Sequence, residues 1–116
     1  FLYGIMAVVN QYKFVGIDDD TTNGELNPFG SGNPLATETY VIKSILVTSA
    51  GTPSPIVTNN SITAIKSAAL TADTTKELLT QPLIVEGGTT LTIKAGSTDS
   101  FDVAISYLNI NKEIIS

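Results

Sequence analysis

Histidine, cysteine and arginine are absent from this chain, and each absence closes a class of function. Without His or Cys, neither a Ser-His-Asp nor a Cys-His nucleophile system can be built. Without Cys there is also no disulfide framework and no thiolate metal site, so stability has to come from burial or from partners. Without Arg there is no bidentate fork for phosphate or guanine, and six Lys stand against eleven acids for a net charge of -5 at pH 7. Nucleic acid and anionic membrane surfaces are poor partners for such a chain. Long apolar runs are missing too: none approaches the ~20 residues that span a bilayer. The N-terminus "FLYGIMAVVNQYKFVG" lacks the basic segment and small-residue cleavage site of a secretion signal, so the chain reads as soluble. Met6, the only methionine, would make a natural start. Phe1 to Ile5 are then an upstream extension or a processing remnant, although a mature chain can equally begin away from Met.

The acids that remain do not assemble into chemistry. Asp18, Asp19 and Asp20, followed by Asn23 and Gly24, invite a calcium reading because hard cations take clustered oxygen ligands. Setting Asp19, Thr21 and Asn23 as first, third and fifth ligands of an EF-hand loop puts Gly30 where the bidentate Glu belongs. The three adjacent carboxylates therefore read as a solvated acidic loop. Paired-carboxylate catalysis needs two acids converging in a cleft, whereas Asp99 and Asp102, Glu77 and Glu86 sit in turns or on polar strand faces. A Ser-Lys pair is allowed by composition, yet no motif singles one out. "VEGG" and "SAG" are too short, and wrongly placed, for a glycine loop feeding a helix N-terminus. Tyr3, Tyr12, Tyr40 and Tyr107 could stack on sugars, but Tyr40 and Tyr107 fit core positions of strands. No catalytic, cofactor-binding or metal residue is expected, and the chain is not expected to be an enzyme.

What is present is β-architecture. At 116 residues the chain is of single-domain size. In "TTLTIKA" Leu91, Ile93 and Ala95 share one face. In "SFDVAISYLNI" Phe101, Val103, Ile105 and Tyr107 do the same, the two-residue period of half-buried strands. With "GSTDS" between them, residues 89–110 are predicted to form an antiparallel hairpin. "TYVIKSILVTS", residues 39–49, is apolar on both faces, as in a central strand or one covered by a partner, and "GTPSP" ends it. "SITAIKSAAL" reads as a strand, and "KELLTQPLIVEGG" as two short apolar segments hinged at Pro82. Seven or eight short strands at turn spacings of roughly 8–12 residues predict an all-β, antiparallel sandwich of jelly-roll type. Residues 1–10 are expected to form an extended N-terminal arm and residues 18–34, "DDDTTNGELNPFGSGNP", a long acidic loop.

Two segments carry a resemblance. "TYVIKSILVTSAG" and "LLTQPLIVEGGTTLTIKAGSTDSFDVAISYLNI" resemble a group of small tailed-phage virion proteins. Their chains run from a V-K-S-I-x-V-T-N strand to a P-I-V-L-E-A-G-D-T-L-x-V hairpin and a final V-S-x-L-E strand. The opening "MAVVNQYKFVG" is similar to virion proteins of phages of marine bacteria and cyanobacteria. The match covers roughly residues 39–49 and 78–110. It departs from the pattern at Thr89, where an acid is usual, at Asn109, where Glu is common, and in the length of the 18–34 loop. The resemblance implies a virion structural protein, foremost a head decoration or cement protein on the capsid surface, homotrimeric and bound to the major capsid protein, its N-terminal arm reaching a neighbouring subunit. A tail, neck or fibre protein that binds a receptor or carbohydrate is the first alternative. A non-viral adhesin or pilin-like subunit donating the strand "FLYGIMAVV" is the second.

Overall fold

The structure, a computed structural model, describes residues 5–18, 25–96 and 101–115. They form eight strands and no helix: β1 (Ile5–Ile17), β2 (Glu38–Ser49), β3 (Ile56–Asn59), β4 (Ile62–Lys66), β5 (Thr74–Glu77), β6 (Leu83–Val85), β7 (Leu91–Lys94) and β8 (Phe101–Ile115). The larger sheet runs β1-β8-β2, with β5 and β6 end to end along the far edge of β2, and the smaller runs β4-β3-β7. Every strand pair is antiparallel. Two such sheets enclose one core, Ile42, Ile45, Val47, Phe101, Val103 and Ile105 from the larger meeting Val57, Leu91, Ile93 and Ala95 from the smaller. This is the antiparallel arrangement of a β-sandwich, as the alternation predicts.

Three expectations change. Residues 89–110 do not form a hairpin, because β7 pairs with β3 in one sheet and β8 lies in the other. The reason is edge availability. β8 is flanked by β1 and β2 over most of its length, so neither side of it is open to β7, and the two buried faces oppose each other across the core instead of lying side by side. The N-terminal arm is not free either. Ile5–Asn10 is the first half of β1 and pairs with Ile110–Ile115 of the chain's own β8, so strand donation would first require this pairing to be broken. Finally, the loop at 18–34 is only in part a loop. Residues 19–24 lie outside the described residues, but Leu26 makes a two-way bridge with Ile93 (N···O 2.8 and 2.9 Å), adding one rung to the open side of β7.

The double-sided apolar character of β2 has a local cause. Its register against β8 shifts between Ile42 and Ser44, and a bulge of one residue turns every later side chain to the opposite face. Tyr40 and Ile42 before the bulge, and Ile45 and Val47 after it, therefore all point into the core, whereas Val41 and Leu46 point out. The carboxylate of Glu77 holds the shift in place. It accepts from the Ile45 backbone N–H at 2.7 Å, and the Leu78 N–H donates to the Ile45 carbonyl at 2.9 Å. Glu77, expected to be a solubilising surface acid, thus spans the gap between β5 and β6 where β2 has no strand neighbour.

Candidate functional site

Of the acids singled out in the sequence, Asp18, Glu77, Glu86 and Asp102 lie among the described residues. Asp18 and Asp102 stand with Asp73, Thr48, Ser49 and Phe101 around an open depression of about 480 Å³. Among the described residues no three acids come close enough to hold a metal ion. Asp19, Asp20 and Asp99 lie outside the described residues. Glu86 is exposed at a turn, its carbonyl accepting from the Thr89 hydroxyl at 2.7 Å. Thr89 therefore serves to close the turn, where its position in the virion pattern usually carries an acid.

A buried polar pair lies at the end of the core, with Ser49 the other buried polar residue among those described. Glu38 is buried, accepting from the Leu35 N–H at 2.8 Å through Oε1 and from Asn109 Nδ2 at 2.8 Å through Oε2. Asn109 is itself buried. A Glu at position 109 would set two carboxylates against each other in a low-dielectric site, so an amide donor is the residue that suits this chain. Beside this pair Phe29, Tyr40 and Tyr107 form an aromatic triangle with centroids 4.7–4.9 Å apart. Burial, aided by the charge of Glu38, pushes the Tyr40 hydroxyl up to about 12. The same two causes raise that of Tyr107. These are packed, protonated phenols. A sugar platform built on the tyrosines consequently loses two members to the core, and Tyr3 lies outside the described residues.

What remains unsatisfied is surface. Reading the registers across the larger sheet, Tyr12 lies opposite Leu108, Leu108 opposite Val41, and Val41 opposite Ile84. The four form an apolar row on the outer face, from the open edge at β1 to the far edge at β6. Tyr12 is 80% exposed and Ile84 45%, and Leu108 and Val41 are half-buried. Phe14, 69% exposed, lies on the same face two residues along. Its ring rests over Gly16, 3.5 Å from where a Cβ would stand. Phe14, Gly16, Leu46 and Ala104 line a shallow groove of about 290 Å³ beside it, floored by the small residues. No described element covers this face. Scattered apolar residues are ordinary on protein surfaces, but a contiguous row is the mark of an interaction site. The row was invisible in the sequence because its members come from four strands. Only Tyr12 and Phe14, alternating in "NQYKFVG", hinted at it.

No family model matches the chain, and no curated protein matches it.

Proposed function

We propose that this chain is a structural protein of a tailed-phage virion, foremost a decoration protein that docks on the capsid shell and acts as a homo-oligomer. The observation that carries the reading is the exposed apolar row Tyr12–Leu108–Val41–Ile84 on an uncovered sheet face. An exposed apolar sheet face is suited to permanent burial against another protein. A specific contact of that kind removes on the order of 800 Å² from water on each partner. The rest of the surface agrees with a passive role. It is acidic and free of Arg, so it can face solvent without gathering nucleic acid. The sequence likeness of residues 39–49 and 78–110 to virion proteins supplies the biological setting, with the major capsid protein as the implied partner.

Imaging of phage particles labelled with an antibody against this chain tests the reading. Label distributed over heads is expected. Label confined to tails would replace the decoration role with a tail role, and absence of the chain from purified particles would overturn the virion reading. On the molecular side, Tyr12→Ser combined with Phe14→Ser should leave folding stability within about 0.5 kcal/mol, since both side chains are exposed, yet weaken binding to shells severely.

A further inference from the structure

We propose that the open edge of β1 is a self-association site, where β1 of one copy pairs antiparallel with β1 of a second to make one continuous sheet through the dimer. The proposal deepens the homo-oligomer half of the reading above and rests on nothing in its virion half.

The edges of this molecule are unequal. A sheet edge is a row of unpaired N–H and C=O groups, and proteins blunt such rows with short strands, charges, prolines, bulges or covering segments. The other edges here follow that rule. β4, β5 and β6 are five, four and three residues long. The gap between β5 and β6 is plugged by Glu77, and the outer side of β7 carries the Leu26 bridge. β1 has only one of these devices, a single Lys. It runs for thirteen residues with no proline, no acid and a single charge at Lys13, and its register against β8 is unbroken from Ile5↔Ile115 to Ile17↔Val103. Among the described residues nothing pairs with its other side. At about 3.4 Å per residue the free ladder is about 44 Å long.

A second copy is the occupant that fits. No other edge of the chain offers a matching length, so a head-to-tail contact would leave most of the ladder unpaired, whereas β1 against β1 is self-complementary under a two-fold axis. Charge favours the same contact. A chain carrying eleven acids has none in this strand, so no carboxylate of one copy's β1 would face a carboxylate of the other's. Lys13 restricts the register. A two-fold axis at Lys13 would oppose two ammonium groups, which is destabilising. With the axis at Tyr12, Lys13 faces the partner's Gln11 and Tyr12 meets the partner's Tyr12. Cross-strand partners point to the same face, so the two apolar rows join into one surface of twice the length. The assembly is two-fold, in place of the trimer that the resemblance implies.

Sedimentation equilibrium of the full chain over a concentration series should give the mass of two copies. Hydrogen exchange should show alternate β1 amides, those facing away from β8, becoming protected as concentration rises. Asn10→Pro and Gln11→Pro provide the paired control. Successive N–H groups point to opposite edges, so one proline removes a bond to β8 and the other removes only an outward donor. The outward one should keep the parent circular dichroism spectrum and melting temperature but associate about tenfold or more weakly, a loss of about 1.4 kcal/mol. A chain that stays monomeric at the highest concentration reached would overturn the proposal. So would a dimer or trimer whose outward β1 amides exchange as fast as in the dilute protein, and so would protection that arises only when shells are added, which would give the edge to a different protein. None of these outcomes bears on whether the chain is found on particles.

Discussion

At the scale of single residues, hydrogen bonding explains why Glu38 is tolerated inside the sandwich, whereas the buried Ser49 hydroxyl has no partner among the described residues. The Glu38–Asn109 contact satisfies a carboxylate that would otherwise be costly to bury, and the neighbouring phenols remain protonated because their anions would be both desolvated and repelled by Glu38. This has a consequence for pH. The folded pKa of Tyr40 is raised to about 12 from an ordinary 10.0, so the stability it protects is complete below about pH 10. It is lost as the pH rises towards 12, because the unfolded chain releases the proton first. Tyr107 acts in the same direction. Denaturation followed at alkaline pH should show stability falling across that window, and Tyr40→Phe should flatten the fall. An unchanged slope in the variant would assign the loss to other groups. Ile105, 1% exposed at the centre of β8, is the clearest large-to-small test of the core: Ile105→Ala should cost about 2–5 kcal/mol in urea denaturation. The alternation of Phe101, Val103, Ile105 and Tyr107 made these core positions legible in the sequence.

Elements are where local pattern and final structure part company. β4 falls where "SITAIK" suggested, and β2 ends before the two prolines, both of which are buried. The predicted hairpin fails because a strand-turn-strand pattern is the same whether the second strand returns beside the first or crosses to the other sheet. Crossing is helped by Gly96, which has φ +73° and leaves a Cβ no room: it would collide with the Ser54 carbonyl oxygen. Gly96→Ala should therefore destabilise the fold by about 1–3 kcal/mol through backbone strain at the corner, read as a lower urea midpoint with an unchanged slope. A neutral result would mean that the corner can relax. Gly87 is constrained differently. A Cβ there would stand 2.6–2.7 Å from the carbonyl oxygens of Leu35, Ala36 and Glu38, so this glycine is required by close packing against the turn that leads into β2.

At the scale of the whole molecule, the shape follows from pairing the first element with the last. The fold measures 62 × 21 × 21 Å with a radius of gyration of 16.0 Å, against about 13 Å for a compact chain of this length. Past Lys112, whose N–H still donates to the Thr37 carbonyl at 3.0 Å, β8 pairs only with β1, and the ribbon extends beyond the sandwich. Joining β1 to β8 closes a loop of nearly the entire chain, an entropic cost met before most of the pairing is gained. Refolding should accordingly fall in the millisecond-to-second range typical of non-local β-topologies, measured by stopped-flow circular dichroism. Relaxation in microseconds would mean that the terminal strands dock after the rate-limiting step.

The amino-acid sequence by itself determined the fold class, the inward positions of β7 and β8, and the exclusion of His-, Cys- and Arg-dependent chemistry, because residue identity and a two-residue period are local properties. Tertiary structure alone decided the rest. Which sheet β7 joins depended on β8 having both its sides occupied. Which residues of β2 face inward depended on a bulge held by Glu77, thirty-two positions from Ile45. The apolar row of Tyr12, Leu108, Val41 and Ile84 exists only through three registers between strands remote in sequence. Pairing partners are chosen by competition among all the strands for a limited number of edges, and no local stretch of sequence carries that competition's outcome.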